Sequence, residues 1–273
     1  MSSKENHWSS EAYALSAPFV PTLTTRLLTL LDAQEGHRIL DLGCGSGLLT
    51  SHLSHLVGPT GSVLALDSSP SMISSAATTY PAPNTTYRVH DCARLASDPD
   101  AVDGSWDKVF SNAALHWILR DEDTRQAVFG DCFRALKAGG ELVFEMGGQG
   151  NVGEVEAAVV GALVAEGVEV ERAREARGWF FPSEGWMRGV LEGEGFVVEV
   201  LETEYRATEL TGEAGLEGWV RLMCASMLDL VEGERRERVV RMVGRILERV
   251  ITREEDGSQW LGYVRLRAVA RKP

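Results

Sequence analysis

Apolar and polar positions along this chain follow two rhythms. Ile39, Leu40 and Leu42 form a short apolar run of the kind that fits a buried parallel strand. Further strands are expected at Ser62–Asp67, Thr86–Val89, Trp106–Asn112 and Glu141–Met146, and a sixth at Gly195–Arg206. Helical spacing fills the gaps: Leu48, Leu49, Leu53 and Leu56 after the first strand, then Pro70–Thr79. Asp121–Ala138 follows, with Val128, Phe129, Cys132, Phe133 and Leu136 on one face, and Gly139-Gly140 ends it. Later helices are expected from about Val152 to Arg177 and from a Ser183 cap to Glu192. Strands that alternate with helices in this way predict an open α/β sheet.

Both ends of the chain depart from that alternation. Trp8, Tyr13, Phe19 and Val20 lie in an opening segment interrupted by Pro18 and Pro21, and a helix through Leu23, Leu27, Leu28 and Leu31 follows. From Gly212 to about Asp256, two amphipathic helices are expected: Leu216, Trp219 and Met223 mark the first, Val239, Val243 and Leu247 the second. The last strand, Trp260–Arg271, alternates strictly, with Tyr263, Arg265 and Arg267 on one face and Val264 and Leu266 on the other. A buried arginine needs a partner, because unpaired burial is expensive. Arg265 is therefore read as the receptor of an acidic substrate or of a protein carboxylate.

Composition narrows the function classes. With 273 residues the chain can bury one full core carrying an inserted cap. A net charge of -13 argues against nucleic acid or an anionic membrane as partner, since phosphate binding draws on clustered Lys and Arg. It leaves room for an anionic small molecule in a small basic pocket. Cys44, Cys92, Cys132 and Cys224 are scattered, which points to neither a zinc site nor a disulfide framework, and no metal is expected. The opening residues have no apolar targeting core and no segment reaches membrane-spanning length, so a cytoplasmic protein is expected.

The candidate chemistry centres on Arg38–Gly47, R-I-L-D-L-G-C-G-S-G. A strand, a turn with Gly43, Gly45 and Gly47, and a helix start capped by Ser46 make a nucleotide site, because glycines admit a ligand to the backbone and a helix end offers free N–H groups. Spacing here is G-x-G-x-G, and Asp41 stands just before the first glycine; a carboxylate there would repel a pyrophosphate and suit a cationic ligand. Asp67 ends the next strand about 20 residues on, where an acid accepts both hydroxyls of a ribose. Asp41 as a turn cap and Asp67 as a helix cap are the plainer readings of the same residues.

Taken together, D-L-G-C-G-S-G, A-L-D-S-S-P-S-M-I, V-H-D-C-A and S-N-A-A-L-H-W resemble a class I S-adenosylmethionine-dependent methyltransferase. The similarity is greatest to the small-molecule branch that includes trans-aconitate methyltransferase and the ubiquinone-pathway type (methyltransferase type 11), and it runs from about Trp8 to the last residues. It implies a Rossmann-like, seven-stranded, mostly parallel sheet with an antiparallel last strand, helices on both faces, and a helical lid before that strand. The domain division that follows is 1–206 for the arm and cofactor-binding part, 207–256 for the cap and 257–273 for the final strand.

The implied cofactor is S-adenosyl-L-methionine. Its expected site is Tyr13 on the arm, Asp41, Gly43, Cys44, Gly45 and Ser46 in the turn, and Asp67, Ser68 and Met72 after the second strand. Asp91 and Cys92 follow the third strand, where Asp91 would accept the adenine's exocyclic amine. Asn112 and Ala113 follow the fourth. His116 is the candidate base, with packing or a substrate hydrogen bond as its other readings. Substrate contacts are expected from Trp8, His116, Trp117, Glu145, Gly147, Trp179 and Arg265; a buried structural Glu145 and a core role for the Trp179 aromatics are the alternatives. The expected reaction is methylation of a small metabolite at a carboxylate or hydroxyl oxygen. N- or S-methylation, or a cofactor-binding protein with a regulatory role, are the other readings. No nucleic-acid or membrane partner is expected, and the chain is read as a monomer or homodimer.

Overall fold

The structure, a computed structural model, describes residues 25–211 and 214–273. Trp8 and Tyr13, expected at the site, lie outside the described residues. Helix α1 (Thr25–Leu31) leads into β1 (Arg38–Leu42), α2 (Leu48–Val57), β2 (Ser62–Asp67), α3 (Pro70–Thr79) and β3 (Thr85–Val89). A 3-10 helix (Cys92–Ser97) precedes β4 (Trp106–Asn112), α4 (Leu115–Ile118), α5 (Glu122–Ala135) and β5 (Leu136–Gly147). Then come α6 (Gly153–Ala165), α7 (Val170–Glu175), α8 (Glu184–Gly193) and β6 (Val197–Glu209). The chain closes with α9 (Gly215–Met223), α10 (Ala225–Leu228), α11 (Gly233–Ile251) and β7 (Trp260–Arg271).

The seven strands form one sheet in the order β3-β2-β1-β4-β5-β7-β6. β1 pairs in parallel with β2 and β4, β2 with β3, and β4 with β5, whereas β7 runs antiparallel to β5. Strand order reverses between β1 and β4, so the carboxyl ends of these strands open a crevice at a topological switch point, where open α/β sheets bind ligands. β1 is buried along almost its whole length, which is why its sequence reads as a continuous apolar run.

The chain divides into two compact units. Among the described residues, the larger takes in 25–149, 181–204 and 265–273. Leu27 and Leu31 of α1, Leu53 and Val57 of α2, and Ile39, Val63, Phe110 and Val143 of the strands make a common core there. Among the described residues, the smaller unit takes in 150–180, 205–211 and 214–264. In it, Val239, Val243 and Leu247 line the buried face of α11, Trp219 Nε1 donates to the Tyr263 hydroxyl at 2.9 Å, and Asn151 Oδ1 accepts from Val264 N at 2.9 Å. Residues 150–180, which the expected boundaries assign to the cofactor-binding part, group with this helical unit.

Three helices differ from expectation. The fifth helix stops at Ala135 rather than Ala138, because Leu136 pairs with Trp106 and starts the strand early. The single helix expected over 152–177 is two, since Gly167 turns left-handed at φ 84° after Ala165, a common helix stop. The cap's first helix is likewise broken, between Met223 and Ala225.

Candidate cofactor and acceptor site

Asp41 lies next to last in β1 and is only 2% exposed. Thr50 Oγ1, buried in α2, donates to its Oδ2 at 2.7 Å. Burial pushes the Asp41 carboxyl up to about 7 despite the Thr50 hydrogen bond, and the nearby Asp67 charge adds to the rise. Thr50 escaped the sequence reading, although a polar residue on the Leu49–Leu53 face of a helix was a visible signal.

The turn after β1 is stitched to the end of β2. Gly43 N and Cys44 N both donate to the Leu66 carbonyl, at 2.8 and 3.0 Å, and Gly45 N donates to Asp67 Oδ2 at 3.0 Å. Asp67 Oδ1 accepts from Ser69 N at 2.8 Å. Gly43, Gly45 and Gly47 all have left-handed φ, and they differ in what surrounds them. A side chain at Gly43 would overlap the Ala114 methyl after β4, so glycine here lets two strand ends close on each other. At Gly45 a Cβ would meet nothing within 4 Å, so the turn faces open space over its centre. The helix cap is Gly47, at φ 86°, and not Ser46; a left-handed residue at that place carries the chain out of the turn.

The next strand ends complete the crevice. Ser68 is exposed, Met72 is buried, and Ser69 rather than Asp67 caps α3, its Oγ accepting from Met72 N at 3.4 Å ahead of Pro70. Asp91 is exposed and caps the 3-10 helix, Oδ1 accepting from Ala93 N at 3.1 Å, while Cys92 is buried. Burial pushes both the Cys44 and the Cys92 thiols far up, which keeps them protonated and unreactive. After β4, Asn112 Oδ1 is buried with no hydrogen-bond partner among the described residues. Ala113 follows in a left-handed conformation at φ 53°, its N–H tied to the Glu145 carbonyl at 2.8 Å. A buried acceptor without a donor, at the same strand-end edge of the sheet as Asp41, Asp67 and the glycine turn, fits a ligand rich in N–H and O–H donors that carries positive charge.

A second cluster forms where β4, β5 and β7 meet. Gly147, the last residue of β5, pairs with Arg265 of β7, and its N–H donates to His116 Nδ1 at 3.3 Å. The Trp117 and Phe181 rings flank the imidazole, with centroids at 5.3 and 5.6 Å. Burial, reinforced by the Arg265 charge, holds His116 down at about 3. With Nδ1 accepting, the neutral ring carries its proton on Nε2 and acts as a donor. Burial and the Arg265 charge therefore both oppose proton uptake by His116.

His116, Trp117, Gly147 and Arg265 are thus brought together, while Trp179 is buried in the smaller unit. Glu145, read either as a substrate residue or as a buried structural acid, is 3% exposed, and Oε2 meets Arg267 Nε at 2.5 Å while Oε1 stands 3.8 Å from Arg265 Nε. Its register partner across the ladder is Arg267 itself, which explains the pairing. Arg267 also meets Glu202 at 3.5 Å and Glu204. Among the described residues no helix is long and apolar enough to cross a membrane.

Comparison with known proteins identifies the family and the fold. Residues 39–140 match the family model described as a methyltransferase domain. An uncharacterized methyltransferase of Schizosaccharomyces pombe is 37% identical over 210 residues, 76% of each chain. A trans-aconitate 2-methyltransferase of Mycolicibacterium gilvum is 30% identical over 256 residues, covering 90% of this chain and 91% of that one. An S-adenosylmethionine-dependent methyltransferase structure from Mesorhizobium loti, 21% identical, superposes with a TM-score of 0.52 over 90% of this chain and 95% of the other. The chain belongs to the methyltransferase family.

Proposed function

We propose that this enzyme methylates an oxygen of a small carboxylic acid. One observation carries the choice: Gly147 N–H donates to His116 Nδ1, which leaves Nε2–H of a neutral imidazole as a donor, beside a buried Arg265. A hydroxyl acceptor must lose a proton to become nucleophilic, whereas a carboxylate is ionised at neutral pH and needs only to be held. An arginine and a neutral hydrogen-bond donor are the groups that hold an anion. Similarity to a trans-aconitate 2-methyltransferase, a protein named for an acid, agrees with this reading.

In the cofactor half, Asp41 and the orphan Asn112 Oδ1 are the acceptors for the α-ammonium, and Asp67 takes the ribose hydroxyls on the lone pairs left by Gly45 N and Ser69 N. Asp91 is assigned to the exocyclic amine of adenine. Bound S-adenosylmethionine supplies a methyl group already activated by its sulfonium. The chain's own part is to align the acceptor oxygen and to exclude water, the second by the Trp117 and Phe181 rings around His116.

The test is a panel of malonate, succinate and trans-aconitate against phenol and catechol, each with S-adenosylmethionine. Release of S-adenosylhomocysteine with the acids, and a product heavier by about 14 Da that mild alkali returns to the acid, is the expected result, since an ester hydrolyses and an aryl ether does not. Turnover of the phenols alone would overturn the carboxylate reading.

A further inference from the structure

Glu145 occupies an unusual place for a purely structural acid. It sits on β5 directly opposite Arg267, and Gly147 sits opposite Arg265, so the two arginines project from the same face of β7 one pleat apart. The two carboxylate oxygens are divided between them: Oε2 is in hydrogen-bonding contact with Arg267 Nε at 2.5 Å, and Oε1 stands off Arg265 Nε at 3.8 Å. Arg267 is matched three times over, by Glu145, Glu202 and Glu204, and the last two are more than a third exposed. Stability alone would be served by the Glu145–Arg267 pair, which makes the reach of Oε1 toward Arg265 the feature that calls for an explanation.

We infer that Glu145 is a positioning residue for the acceptor: anchored by Arg267, it fixes where the Arg265 guanidinium stands in front of the acceptor carboxylate. The inference rests on the carboxylate reading above. Arginine has five donors in a rigid fork, so a carboxylate near Nε on one edge orients the opposite pair of terminal nitrogens, the pair that grips a carboxylate bidentately. At 3.8 Å from Nε the Glu145 charge is close enough to steer the fork. Both residues lie on sheet strands, elements rigid enough to hold such an alignment.

The experiment compares Glu145→Gln, Glu145→Asp and Arg265→Lys in steady-state kinetics, each acid of the panel titrated singly, with S-adenosylhomocysteine affinity measured by calorimetry. For Glu145→Gln the acceptor KM is expected to rise about tenfold, the usual scale for losing a group that orients a ligand-binding residue, with cofactor affinity unchanged. Glu145→Asp, which keeps the charge, is expected to fall between it and the parent; this milder variant decides the matter if Glu145→Gln does not fold, an unaltered KM then overturning the inference. Unchanged KM in Glu145→Gln with a raised KM in Arg265→Lys would overturn the positioning role and leave the carboxylate reading standing. No KM change in either variant would overturn both. Parallel losses of kcat and cofactor affinity at constant KM would mark Glu145 as structural and overturn the inference too.

Discussion

Gly45 and Asp67 are hydrogen-bonded, the backbone N–H of the turn donating to the carboxylate at 3.0 Å. The loop after the first strand and the acid that ends the second are therefore one unit, held before any ligand arrives. A second amide, Ser69 N, fixes the other oxygen at 2.8 Å. Such preorganisation removes part of the ordering cost of binding.

Asp67→Ala strips both amides of their acceptor and removes the proposed ribose partner. Leaving these partly buried donors without their acceptor costs at most about 1–3 kcal/mol. Asp67→Asn retains a single amide oxygen as acceptor and is expected to lose less. Urea denaturation reads the stability difference, and calorimetry with S-adenosylhomocysteine is expected to find the affinity order parent, Asn, Ala. Equal affinity in the Ala variant would remove Asp67 from the site.

Gly43 and Gly139 separate two costs of adding a methyl group. Both have positive φ, 75° and 77°, but a Cβ at Gly43 would overlap Ala114 whereas one at Gly139 meets nothing within 4 Å. Gly139→Ala is expected to cost only the left-handed strain, about 1–2 kcal/mol. Gly43→Ala adds a steric clash between two strand ends and is expected to cost roughly 1–3 kcal/mol more, with loss of cofactor binding. Thermal unfolding of the two variants side by side gives the comparison.

Much of the cofactor half was legible because it is local. The bounds of β1, β2 and β4 follow from apolar runs ending in Leu42, Asp67 and Asn112, and the turn's glycines announce themselves. What escaped is what depends on distant partners. Leu136 has the spacing of a helix residue, but pairing with Trp106 draws it into the sheet. Glu145 reads from the sequence either as a substrate residue or as a buried structural acid; its contact with Arg267 spans 122 positions and depends on a register that no local pattern encodes. Ser46 is a good cap by composition, yet Gly47 packs so closely on α3 that a Cβ there would come within 2.7 Å of the Ala76 methyl, and this approach sets where the helix begins.

Asp41 and His116 are expected to give stability opposite dependences on pH. The Asp41 carboxyl, held up at about 7, keeps a proton in the folded protein that the unfolded chain loses near about 3.9, so stability is lost as pH rises through that window. His116, held down at about 3, is neutral when folded while the unfolded chain binds a proton up to about 6.5, so stability is gained as pH rises. Relative to the parent, Asp41→Asn should therefore gain stability from about pH 4 to 7 and His116→Gln should lose it. Urea denaturation across that range tests both; curves parallel to the parent would mean that neither group is shifted.

Arg267 is the keystone of the charged cluster, with its side chain 3% exposed against a Glu145 side chain at 4%. Arg267→Leu would take from that acid its 2.5 Å contact with the Arg267 guanidinium. Breaking a buried pair by deleting one partner costs about 3–5 kcal/mol, because the remaining charge stays desolvated. Adding Glu145→Gln to Arg267→Leu removes that stranded charge and is expected to restore part of the loss, although each change alone destabilises. A double variant whose loss equals the sum of the singles would mean that the two residues do not share their energy, and that the short contact between them contributes nothing to the fold.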